Sequence, residues 1–136
     1  MIIKKTHNLY SLKYNQNNHI IRFGKFGIKV ISFGRLTESQ LKSLERLLVN
    51  FIKKMTNNKK NVKLWNLVVF NMSLTKLSSE SRMGKGKGSV YTKAIFCKPG
   101  TIIFEFSNLS HQQMAEIFKF IKKKISFKIK LIERFR

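Results

Sequence analysis

Apolar positions along the chain change their period several times, and each change marks an element. Leu41, Leu44, Leu48, Phe51, Ile52 and Met55 recur at helical spacing. Thr37, with Gln40 three residues later, forms a capping box, and Glu38 suits the positive end of a helix. The spacing predicts a helix from there to the last turn at Lys53 and Lys54. Met114, Ile117, Phe118 and Ile121 form the apolar face of a second helix, opened by Ser110 and Gln113.

The remaining apolar runs read as strands. "IIRF" at 20–23 and "IKVISF" at 28–33 are short, with Gly24 and Gly27 bracketing a turn between them and Gly34 ending the second. "VKLWNLVVF" at 62–70 is nearly all apolar, as a central strand is. Residues 90–97 and 101–106 follow, with Lys98-Pro99-Gly100 as a tight hairpin connection. "FKIKLI" at 127–132 alternates like an edge or half-buried strand. The order β-β-α-β-loop-β-β-α-β lacks regular βαβ alternation. It predicts an α+β fold, a two-layer sandwich with a mixed or antiparallel sheet, two helices and a long basic glycine-lysine loop. The expected core draws on Leu41, Leu44, Leu48, Trp65, Val69, Phe104, Phe118 and Ile121. Residues 1–19 read as a basic N-terminal arm, and 20–136 as one domain from which the loop 71–89 projects.

Charge changes the picture. Lys and Arg number 28 against 6 acidic residues, all Glu, for a net charge of +22. Self-repulsion at that density destabilises an isolated compact state, and a polyanion relieves it. Excess charge this large points to a nucleic-acid partner. No apolar run approaches the ~20 residues of a spanning helix, so membrane insertion is not expected. Lys, Ile, Phe and Asn abound while Ala occurs only at 94 and 115. These are residues with AT-rich codons, as many organellar genomes favour.

Candidates for chemistry are few. Cys97 is alone, and His7, His19 and His111 are scattered, so neither a cofactor nor a metal site is expected. Glu38, Glu45 and Glu116 read as helix cap and surface charges. Glu105, isolated in a strand, is expected to pair with a neighbouring cation. No paired carboxylates and no Ser/His/Asp set emerge, so the chain does not read as an enzyme.

The loop is the distinctive segment. "SRMGKGKGS" lacks the Walker A spacing, because each Gly-Lys is followed by Gly, and Ser89 stands where a dinucleotide fingerprint needs its third Gly. Gly84, Gly86 and Gly88 let a backbone approach a ligand closely. Lys85 and Lys87 add cations, and Arg82 adds a planar fork suited to phosphate. Nineteen residues, 71–89, extend up to ~60 Å, so a there-and-back loop reaches about half of that.

"RMGKGKGSV" resembles a signature of the ribosomal protein L-sixteen family of the large subunit in bacteria and organelles. "FGKFGIKVISFGRLTESQ", "KLWNLVVF" and "KPGTIIFE" are similar to further stretches of that family, in the same order. The resemblance covers about residues 20–132. It departs from the family after the Trp strand, where "NMSLTKLSSE" holds no proline, and in the N-terminal residues.

The resemblance implies a structural protein of the large ribosomal subunit, bound to large-subunit rRNA near the tRNA accommodation site and the peptidyl-transferase region. It implies support of late subunit assembly and of tRNA positioning. Its partners would be rRNA, tRNA and neighbouring large-subunit proteins. The rRNA-binding candidates are Arg22, Lys25, Lys29, Arg35, Lys122, Lys123 and Lys124. The loop residues facing rRNA or tRNA would be Arg82, Met83, Gly84, Lys85, Gly86, Lys87 and Gly88. With the AT-rich composition, the expectation is an organelle-encoded protein of the mitochondrial ribosome; a plastid or bacterial cytoplasm is the alternative. A free-standing RNA-binding assembly or translation factor is the alternative function.

Overall fold

The computed structural model describes residues 20–56, 61–70, 72–84 and 86–135. The expected basic arm, 1–19, lies outside these residues. In chain order the elements are β1 (Phe26–Val30), β2 (Gly34–Thr37), α1 (Glu38–Met55), β3 (Lys63–Asn66), β4 (Met72–Lys76), β5 (Ser89–Cys97), β6 (Ile102–Ser107), α2 (His111–Lys124) and β7 (Ile129–Glu133). The strands form a four-stranded sheet, β3-β6-β1-β7, and a three-stranded sheet, β2-β5-β4. Every pairing among them is antiparallel. This is the expected α+β two-layer arrangement, with two sheets where one was expected.

Both helices begin where the caps place them. The Thr37 hydroxyl accepts from the Gln40 N–H while the Gln40 side chain accepts from the Thr37 N–H. Ser110 and Gln113 repeat the exchange. Such caps satisfy N–H groups that have no partner inside the helix. In the first turn of α1, Lys42 Nζ lies 2.7 Å from the Glu38 carboxylate, and that hydrogen bond holds Glu38 below the usual carboxylate range. Leu41, Leu44, Leu48 and Ile52 bury one stripe of α1, and Met114, Ile117 and Ile121 bury one stripe of α2. Each such side chain contributes about 1.5–3 kcal/mol when fully removed from water.

The four-stranded sheet supplies the opposing surface. Phe26 faces Phe106 and Ile28 faces Phe104 across the β1–β6 pair, so all four project to one face. They are buried and join the helix stripes in one apolar cluster. Cys97, at the end of β5, is buried in the same cluster, and burial pushes its thiol up to about 11 from 9.0.

Several boundaries differ from the sequence reading. Residues 20–23 form no strand, β1 begins at Phe26 and includes Gly27, and Gly34 opens β2 rather than ending a strand. The run 62–70 is neither long nor central: β3 covers only Lys63–Asn66 and lies at the sheet edge. The Asn66 side-chain oxygen accepts from the Val68 N–H at 3.0 Å, a local bond that competes with the strand ladder. Val69 is accordingly 74% exposed, against its expected core place, while Trp65 and Phe118 are half-buried. The turn at Pro99-Gly100 exists, with Gly100 at φ +95°, but it is not a hairpin connection. It carries the chain from β5 in one sheet to β6 in the other. The Gly100 N–H donates to the Val30 carbonyl and the Val30 N–H to the Thr101 carbonyl, which ties the turn to β1. The expected loop 71–89 contains β4, so the projecting part is 77–88.

Candidate nucleic-acid interface

The loop leaves the three-stranded sheet as the end of the β4–β5 hairpin. Its base is fixed by the pairs Thr75↔Val90 and Lys76↔Ser89, with a bulge between Leu74 and Thr75. Glycine at 88 has a reason inside the fold: a Cβ there would stand 2.5 Å from the Lys76 carbonyl oxygen. It lets the two loop stems close on one another. Beyond it the loop opens. Leu77 to Gly84, Gly86 and Lys87 are exposed, and Met83 is 96% exposed. Gly84 and Gly86 hold φ of +89° and +94°, and a Cβ at either would meet no atom within 4 Å. Glycine reaches these angles at no steric cost. Internal order is confined to the N-terminal side, where the Ser81 N–H donates to the Ser78 carbonyl and the two hydroxyls meet. Lys85 lies outside the described residues. About a dozen residues reach roughly 20 Å there and back, less than the reach expected of the longer loop.

The other candidate cations are spread over several elements. Arg22 is exposed in the segment before β1, and its carbonyl accepts from Arg134. Lys25 is exposed but already committed: its Nζ lies 3.3 Å from Glu133 and 5.2 Å above the Phe26 ring. Lys29 is half-buried in β1, opposite Lys130. Arg35 is exposed in β2, in the other sheet. Lys122, Lys123 and Lys124 are exposed in the last turn of α2, where the helix dipole favours cations. Lys124 shares a shallow groove with Leu36, the neighbour of Arg35, and with Ser39, Gln40 and Ser43 of α1. The fold therefore brings the end of α2 to the junction of β2 and α1. It does not bring all of these cations to one place.

The sequence reading missed the arrangement around Glu105. This carboxylate is fully buried and takes no cation, contrary to expectation. It accepts from three successive backbone amides: Arg22 at 3.0 Å, Phe23 at 2.7 Å and Gly24 at 2.9 Å. A charged acceptor makes such bonds stronger than neutral ones, which offsets the cost of burying the carboxylate. Gly24 packs so closely on β6 that a Cβ would stand 2.5 Å from the Phe106 carbonyl oxygen. The chain from Ile20 to Gly24 thus crosses the sheet as a strap, with Ile21 buried and Phe23 stacked on Trp65 at 6.1 Å. The partners lie more than eighty positions apart in sequence, so no local pattern could announce them.

A model of the family described as ribosomal protein L16p/L10e matches residues 2–132. A large ribosomal subunit protein, uL16m of Chondrus crispus, is 52% identical over 129 residues, covering 95% of this chain and 94% of that protein. Another, uL16c of Emiliania huxleyi, is 33% identical over 112 residues, covering 82% of this chain and 77% of that protein.

Proposed function

We propose, from the premise that this chain belongs to the ribosomal protein L16p/L10e family, that its glycine-lysine loop lies beside RNA where tRNA is accommodated. The chain is a structural constituent of the large ribosomal subunit, in a mitochondrial ribosome. Within that role, Arg82, Lys85 and Lys87 set cations against rRNA and tRNA backbones near the peptidyl-transferase region. Gly84 and Gly86 shape the tip. Arg22, Lys25, Lys29, Arg35 and Lys122–Lys124 hold the body of the protein on large-subunit rRNA, with Lys25 sharing its charge with Glu133. Seating the loop among folded RNA fits a protein that joins late in subunit assembly.

One observation carries the reading: the segment 77–88 is exposed at nearly every described position and rich in cations, yet stands on a well-paired hairpin. Such a segment offers little apolar surface to offset the entropy of its own ordering, and phosphate contacts would supply the missing free energy.

The test compares two quantities in the Arg82→Ala/Lys85→Ala double variant. The expected outcome is an unchanged melting temperature, with reduced A-site tRNA occupancy or delayed subunit maturation in ribosomes that carry it. A much lower melting temperature with normal tRNA occupancy would show the loop to be a structural element and end this reading.

A further inference from the structure

On the four-stranded sheet, away from the loop, the strap and the edge strand form an exposed aromatic surface. The Phe23 ring is 59% exposed and stacks on Trp65, with 6.1 Å between centroids and 23° between planes. Trp65 is half-buried in β3, directly opposite Glu105 in β6. Lys63 lies two residues before Trp65, on the same face of β3, and is exposed. Arg22, next to Phe23, is exposed as well. Neither β3 nor β6 adds an exposed carboxylate, since their one acid is Glu105. That carboxylate is buried, with Oε1 taken by Arg22 N–H and Oε2 by the Phe23 and Gly24 N–H groups.

We propose that Phe23 and Trp65, flanked by Arg22 and Lys63, form a stacking platform for an unpaired nucleobase of RNA. Bases stack on exposed aromatic side chains while cations beside them track the phosphates, and this is how single-stranded RNA is commonly held. The charge argues for RNA as the occupant: a surface of one sign, on a chain of net charge +22, suits a polyanion that also carries flat apolar faces. An isolated apolar patch would not need cations at its rim. Glu105 acts here as a positioning residue. Its bonds fix the backbone of residues 22–24 and so hold the Phe23 ring against Trp65. The inference concerns a surface distinct from the loop and does not depend on the loop's role.

Trp65 is the single tryptophan of the chain, so its fluorescence reads the platform alone. The full-length protein is titrated with a short single-stranded RNA and, separately, with inorganic polyphosphate, which carries charge but no bases. Total binding is followed by anisotropy of the labelled strand. Quenching of Trp65 by RNA and not by polyphosphate is expected. Phe23→Leu should weaken the strand about tenfold without lowering the melting temperature, and Phe23→Tyr should bind as the parent does. Glu105→Gln should weaken the quenching while binding through the other cations persists.

Equal quenching by polyphosphate would overturn the platform. So would RNA that binds by anisotropy yet leaves Trp65 unchanged, whether because residues 1–19 or another protein surface occupies the site. That last result would leave the loop's proposed role standing.

Discussion

The strap at Ile20–Gly24 and the loop at 77–88 are built from the same materials, glycine, cations and irregular backbone, and they end in opposite conditions. The strap's amides meet a carboxylate inside the fold, at 2.7–3.0 Å. The loop has no acid of its own beyond Glu80 at its exposed base. An internal anion makes irregular backbone part of the body. Where none is buried with it, the exposed segment can take an external anion. The difference between a structural segment and a binding segment lies here in where the negative charge comes from, since burial of polar backbone is tolerated only with a partner.

The comparison can be broken most directly at Glu105. Glu105→Ala should leave three buried or part-buried amides unsatisfied and destabilise the fold by about 3 kcal/mol or more. Cys97 supplies an independent readout. Its buried thiol, with a pKa raised to about 11, should label very slowly at neutral pH, and faster once the core opens more often. Slow labelling and an unchanged melting temperature in Glu105→Ala would show that the strap is an appendage.

A smaller loss is expected at the loop's stem. Gly88→Ala forces a methyl group against the Lys76 carbonyl and should cost about 1–3 kcal/mol, read as a lower melting temperature. Gly86→Val sits in open space, so only its positive φ is strained. It should cost about 1 kcal/mol or less of stability, as the tip can relax, while weakening loop seating on RNA. If Gly86→Val destabilised the protein as much as Gly88→Ala, the tip would be packed and not open.

The least effect on stability belongs to the Arg82→Ala/Lys85→Ala pair. Melting temperature and Cys97 labelling should match the parent. The salt dependence of RNA binding should fall by about two units of log–log slope, one for each lost phosphate contact. An unchanged slope would mean that these cations touch no phosphate.

Local chemistry was enough to read part of this molecule. The two capping boxes, the helix stripes and the alternation of β7 depend on residues within a few positions of each other, so their sequence pattern and their structure coincide. The family was legible for a related reason: "RMGKGKGSV" keeps its spacing whatever the sheet does around it. What depended on distant partners was not legible. Val62–Phe70 looked like a central strand because apolar run length cannot tell whether a neighbour exists on both sides, and Asn66 turned the chain away after four paired residues. Met72–Lys76 looked like loop because a short polar strand shows itself only through its pairing with β5.

The sequence alone determined that this is a basic α+β protein with two capped amphipathic helices and a cationic glycine loop, because those properties are sums or local periodicities. Tertiary structure alone decided that Lys98–Thr101 joins two sheets, that Glu105 serves backbone amides and not a cation, and that Phe23 lies against Trp65. Each of those outcomes turns on which distant groups close a contact, and that is set by the packing of the whole chain around one core.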